Sequence, residues 1–149
     1  MGKIIPLEET EQIITVKYLE FLYRKKVIID YWATLNENKE ARSIRVGVKL
    51  KQLGKKKGIS DLTIIFKNFT LYLEMKRELK TLKNGKMSNS HSKPNREQIE
   101  FINRMNTTKH NIATVAYGSK MAINIINKCI KYYNLDAEQI RYKILNKEF

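Results

Sequence analysis

The stretch Gly58-Ile-Ser-Asp61-Leu-Thr-Ile-Ile-Phe66, followed by Lys67-Asn68 and then Phe69-Thr-Leu-Tyr-Leu-Glu74-Met-Lys76, decides the fold. Two runs rich in β-branched and aromatic residues flank a short polar dipeptide, the pattern of a β-hairpin. Asn68 tolerates the positive φ that tight hairpin turns require. A two-residue loop at Lys67 and Asn68 sets Phe66 opposite Phe69 and, counting outward, Asp61 opposite Glu74. Side chains alternate between faces along a strand. Leu62, Ile64, Phe66, Leu71, Leu73 and Met75 then form one apolar face. Asp61, Thr63, Tyr72, Glu74 and Lys76 form the other. A four-residue loop keeps this parity, whereas a three-residue loop without a bulge moves Glu74 to the apolar side. Two carboxylates opposed across a ladder repel, and a cation between them removes the conflict. Oxygen donors at this spacing suit Mg²⁺, which takes one or two carboxylates and keeps several waters. Lys76, two residues on, reaches the same space.

The chain of 149 residues is read as a single domain, 1–149, long enough to bury a core. Its 29 Lys and Arg against 15 Asp and Glu give a formal net charge of +14. Such a surface predicts a polyanionic partner, nucleic acid before membrane. Cys129 is the single cysteine, which excludes an intramolecular disulfide and a cysteine zinc site. Its surroundings read as a buried helix. No apolar run is long enough to span a bilayer, and the N-terminus carries no signal-peptide pattern. The expected location is intracellular.

Outward from the hairpin, the elements follow in order. Leu7 to Arg24 reads as a helix, with Glu8, Glu9 and Glu11 suited to its positive end and Ile14, Tyr18, Phe21 and Leu22 as its apolar stripe. Val27 to Ala33 reads as a strand. Tyr31 and Trp32 are expected in the core or on the sheet surface rather than stacked on bases. Asn36 to Lys39 is a loop, and 41–53 is weakly helical and basic. Arg77 to Lys93, rich in Gly, Ser and Asn, reads as a loop, and His91 within it as solvated. Pro94-Asn95 opens a helix in which Asn95 and Gln98 have capping-box spacing. Ile99, Phe101, Ile102 and Met105 supply its apolar contacts. Asn111 to Tyr117 is a strand that Gly118 turns into a helix over Ser119 to Tyr133, and a last helix runs from Asp136 to Lys147. The expected fold is α/β: a mixed sheet with flanking helices.

Between Ala41 and Arg96 the only acids are Asp61, Glu74 and Glu78, while Lys and Arg recur throughout. The excess positive charge therefore surrounds the hairpin that carries the opposed carboxylates. Lys55, Lys56 and Lys57, just before Asp61, and Arg77, just after Lys76, are candidate phosphate contacts. A basic collar around an acidic pair points to phosphodiester chemistry.

Asp61 followed a strand later by Glu74-Met-Lys76 resembles the signature of the PD-(D/E)XK nucleases, with Ser60 standing where that signature names proline. Gly58-Ile-Ser-Asp61, Glu74-Met-Lys76 and Asn95-Arg-Glu-Gln98 resemble the VRR-NUC branch, over about Glu8 to Tyr133. The resemblance implies a restriction-endonuclease-like core. It implies Asp61 and Glu74 as metal ligands, with the Met75 carbonyl adding an oxygen. Lys76 would orient and help deprotonate the attacking water or stabilise developing charge, and Gln98 would point into the site. Family members often add a glutamate from the first helix, for which Glu11 is chosen and Glu8 is the alternative. The cofactor implied is Mg²⁺, with Mn²⁺ as substitute. The substrate implied is DNA, with branched forms such as four-way Holliday junctions prominent. The assembly implied is a homodimer, and the setting a bacterial or phage-infected cytoplasm.

Plainer readings stand beside these. Glu74 and Lys76 also suit a solvated edge-strand pair, Asp61 a turn, Gln98 a cap alone, and Glu11 a favourable helix start. The competing functions are a non-catalytic basic nucleic-acid-binding module, which charge alone would explain, and a partner-recruiting subunit of a replication complex.

Overall fold

The computed structural model describes residues 4–34, 44–86 and 93–145. The loops expected at Asn36 to Lys39 and around His91 lie outside these residues, as do the start of the basic segment (41–43) and the last residues of the final helix (146–149). The elements run α1 (Glu8–Arg24), β1 (Asp30–Ala33), α2 (Ile44–Gln52), β2 (Leu62–Ile65), β3 (Thr70–Lys76), α3 (Arg96–Met105), β4 (Asn111–Tyr117), α4 (Ser119–Lys131) and α5 (Ala137–Leu145). The four strands form one mixed sheet in the order β1-β2-β3-β4. The first two pairings are antiparallel and β3 pairs with β4 in parallel.

The hairpin has the register expected of a two-residue loop. Leu62 pairs with Leu73 and Thr63 with Tyr72, and the Phe66 N–H donates to the Phe69 carbonyl at 2.9 Å. The two Phe rings stack with centroids 4.7 Å apart. Leu62, Ile64, Leu71, Leu73 and Met75 are fully buried. They join Leu19 and Leu22 of α1, Ala122, Ile125, Ile126 and Cys129 of α4, and Ala137 and Ile140 of α5 in one core. At roughly 1.5–3 kcal/mol per fully buried large aliphatic side chain, this face supplies the main drive for the hairpin to dock. Cys129 is buried as expected, and burial pushes its thiol up to about 12. It is not a nucleophile at neutral pH.

The opposite face of the sheet carries α3. Phe101 is buried there and meets the Tyr72 ring edge-on, with centroids 5.5 Å apart. Asn95 and Gln98 form the expected capping box at the start of α3. At its end, the Asn106 side chain both donates to and accepts from the Ala113 main chain at 2.8 Å, so the outer edge of β4 is occupied. The β1 edge has no such cover among the described residues.

Several sequence expectations shift. The buried face of α1 is Glu11, Thr15, Leu19 and Leu22, while Ile14 and Phe21 are exposed. Helical periodicity found the helix but placed its stripe a step off, because two of the inward residues are polar. Ile99 of α3 is likewise exposed. The first strand begins at Asp30 rather than Val27, with Ile28 buried in the approach to it. Helix α4 stops at Lys131. Among the described residues no helix is long and apolar enough to cross a membrane.

Candidate active site

The polar face of the hairpin concentrates its charge at one end. Register continued one step beyond Leu62 and Leu73 sets Asp61 against Glu74. The Thr34 N–H fixes the Asp61 carbonyl at 2.8 Å, and the Met75 N–H donates to Asp61 Oδ2 at 2.7 Å. Glu74 is almost wholly buried, at 1 % exposure, and Lys76 is buried beside it. Lys76 Nζ donates to Glu74 Oε1 at 2.7 Å, and Gln98 Nε2 donates to the same oxygen. Glu74 Oε2 is buried with no hydrogen-bond partner.

Gln98 reaches the site because α3 is held close to the strand that precedes it. Its Oε1 accepts from the Asn95 N–H at 2.8 Å, so the capping box leaves its amide nitrogen free to face Glu74. Gly58 has φ of +76°, and a Cβ there would lie 2.6 Å from the Glu97 carbonyl carbon. Glycine at 58 is thus required twice, for its backbone conformation and for the close approach of α3. Ser60, between Gly58 and Asp61, is fully buried and its hydroxyl has no partner.

Electrostatics mark the carboxyl pair. Burial, and then the facing Asp61 carboxylate, push Glu74 up to about 7 against the opposing pull of Lys76. Burial also raises Asp61, against the Met75 N–H and the Lys76 ammonium. Burial raises Glu8 on α1, which lies in the field of Asp61, Lys76 and Arg77. For Lys76, burial pulls toward the neutral form, but the Glu74 hydrogen bond and the charges of Glu74, Glu8 and Asp61 outweigh it, and the net direction is up. Lys76 is therefore held as an ammonium. Two facing carboxyls that resist joint ionisation bind either a proton or a cation. The carboxylate oxygens brought together here are those of Asp61 and Glu74; the Met75 carbonyl, on the same strand, is the further ligand that the resemblance implies. Among the described residues no group of three or more acidic, His or Cys side chains forms a closed metal cage. A two-carboxylate site completed by main chain and water is the Mg²⁺ pattern.

The other named residues divide. Glu8, the alternative, shares the field of the pair. Glu11, the chosen one, is directed elsewhere: its Oε2 accepts from the Ser119 N–H at the start of α4. Arg77 grips the chain before α1, its guanidinium donating to the carbonyls of Pro6 at 3.1 Å and Ile5 at 2.9 Å. It thereby fixes the approach of Glu8. Lys56 and Lys57 are exposed and Lys55 half-buried in the turn that leads to Asp61. A cleft of about 610 Å³ opens beyond the carboxyl end of β4, lined by Glu11, Glu78, Tyr117, Ser119, Asn124 and Asn127 among others, and does not contain the carboxyl pair.

The close approach of Gly58 to Glu97 and the burial of an unpartnered Ser60 hydroxyl were not foreseen from the sequence; Trp32 is half exposed on the sheet, one of the two placements expected of it. Comparison with protein-family models, with curated proteins and with solved structures gives no match to this chain.

Proposed function

We propose that this chain is a Mg²⁺-dependent endonuclease that hydrolyses DNA phosphodiester bonds, selective for branched structures and working inside the cell as a homodimer. The observation that carries the reading is Glu74 Oε2, a buried carboxylate oxygen without a partner, facing Asp61 and flanked by an ammonium. A buried acceptor oxygen without a donor is costly, and a hard cation at that oxygen would offset the cost. The resemblance to PD-(D/E)XK nucleases, and to their VRR-NUC branch, agrees with this donor set and with the sheet that bears it. When bound, Mg²⁺ supplies Lewis-acid polarisation of the phosphate and a more acidic water nucleophile.

The chain's own residues would do the rest. Asp61 and Glu74 hold the ion, and the Met75 N–H locks the Asp61 carboxylate in place. Lys76, kept cationic, orients the nucleophile and stabilises negative charge developing on phosphate rather than acting as a base in its resting state. Gln98 fixes the Glu74 carboxylate and leaves its second oxygen toward the ion. Glu8 is the α1 carboxylate best placed to add an outer contact. Lys56 and Lys57, with Lys55, in the turn that leads to Asp61, would meet the approaching phosphates.

The test is a cleavage panel of four-way junction, flap, single-stranded and linear duplex DNA with Mg²⁺, Mn²⁺ or EDTA. Metal-dependent cutting that is strongest on a branched substrate is expected. Binding with a steep salt dependence but no cutting with either metal would instead support the non-catalytic module, which the net charge of +14 favours.

A further inference from the structure

Trp32 lies on the same side of the sheet as the carboxyl pair. Its neighbour Tyr31 points the other way, because the Tyr31 hydroxyl donates to Glu20 Oε2 on α1 at 2.6 Å. Alternation along β1 then turns Trp32 to the opposite face. Trp32 pairs with Thr63, and Thr63 with Tyr72, so the three residues form a row across that face. Two residues along from Trp32, the Thr34 N–H holds the Asp61 carbonyl. Strand spacing and rise set the Trp32 Cα roughly 8 Å from that of Asp61 and about 12 Å from that of Glu74. That is the reach of about one or two nucleotides from a phosphate held at the carboxyl pair.

Thr63 beside it is buried, yet Trp32 is 50 % exposed. Among the described residues its indole makes no ring stack, cation contact or hydrogen bond. Across the sheet, Tyr72 is used by Phe101 and the β4 edge by Asn106. Among the described residues the β1 side of the face is left uncovered. A strand drawn to the Lys56 and Lys57 turn and laid over Asp61 would have its next bases above this ring.

We propose that Trp32 is a stacking platform for an unpaired base of the DNA strand that is cut. This rests on the nuclease reading and sharpens it. In a continuous duplex the faces of the bases are taken by their neighbours, so the platform selects DNA whose bases are splayed or single-stranded next to the scissile phosphate. Base–aromatic stacking tolerates any base, so the preference is for structure and not for sequence.

Trp32 is the only tryptophan, and its emission in the native chain reports on this site alone. The full chain, in EDTA so that nothing is cut, is titrated with oligo-dT and with a blunt hairpin duplex, and binding is followed separately by anisotropy. Indole emission is expected to be quenched and shielded from acrylamide as oligo-dT saturates, with little change on the duplex. Trp32→Ala should weaken oligo-dT binding about tenfold and duplex binding little, while Trp32→Phe keeps most of the affinity and controls for folding. Emission unchanged at saturation, no binding of oligo-dT, or equal weakening on both DNAs in Trp32→Ala overturns the proposal. Quenching needs no catalysis. If it occurs in a chain that cuts nothing with Mg²⁺ or Mn²⁺, the platform stands and the nuclease reading falls. If the chain cuts and the indole is silent, the reverse holds.

Discussion

Two buried glutamates, Glu11 and Glu74, sit in regions that use a carboxylate in opposite ways. Glu11 on α1 is 4 % exposed and accepts from the first N–H of α4, a helix end whose unpaired donors and positive dipole suit an anion. Glu74 on β3 is 1 % exposed, shares one oxygen between Lys76 and Gln98, and leaves the other without a donor opposite another acid. Burial is nearly the same. What differs is whether the surroundings complete the hydrogen bonds. At the α1–α4 junction they do, and the carboxylate joins two helices. On the hairpin they stop one oxygen short, and that oxygen is the feature on which the proposed metal site rests.

The contrast is broken most directly by substitution. Glu74→Ala and Lys76→Ala should each lower metal-dependent cutting by at least on the order of a hundredfold, with DNA binding by anisotropy largely kept. If both variants cut like the parent, the open oxygen has no catalytic meaning. Next come the two glutamates of α1. Glu11→Ala strips the α4 start of its acceptor and should lower stability by about 1–2 kcal/mol in urea unfolding, with cutting retained. Glu8→Ala should do the reverse, reducing cutting with little change in stability. The opposite pattern would return Glu11 to the site.

Acidity separates the regions further. The folded protein holds Glu74 near 7 and raises Asp61 and Glu8 in the same direction. An acid with a raised folded pKa binds protons more tightly when folded, so its favourable term is complete below the unfolded pKa and is lost as pH rises through the folded one. The metal-free protein should therefore melt lower at pH 8 than at pH 5, by roughly 5 °C. Mg²⁺ should recover the loss at pH 8, and Glu74→Gln should flatten the slope. A slope unchanged in Glu74→Gln would assign it to other groups. The smallest effect concerns Ser60, whose buried hydroxyl is unpartnered. Ser60→Ala should be neutral or stabilising by up to about 1 kcal/mol, and a clear loss of stability would show that the hydroxyl has a partner.

Much of this was legible in particular residues. The parity of the Lys67-Asn68 loop puts Asp61 and Glu74 on one face, and the alternation of Leu62, Ile64, Leu71 and Leu73 names the core face. Asn95 and Gln98 announced their capping box by spacing alone. Where a helix hid polar residues on its inner face, as α1 does with Glu11 and Thr15, hydrophobic periodicity misplaced the stripe. The choice between Glu8 and Glu11 was not legible, because residues three apart on a helix point to nearly the same side and only the packing of α4 separates them. Arg77 was read as a phosphate contact, yet its partners are the carbonyls of Ile5 and Pro6, more than seventy residues away.

By itself the sequence determined the hairpin, its two faces, the strand and helix order around it and the basic charge about it. These follow from local periods and turn chemistry, which act over a few residues. The tertiary structure alone decided that Gln98 meets Glu74, that Glu11 is tied to α4 while Glu8 lies in the field of Asp61 and Lys76, and that Trp32 is half exposed on the same face. Each of these depends on how separate elements pack, and packing distance is not written in the spacing of residues along the chain.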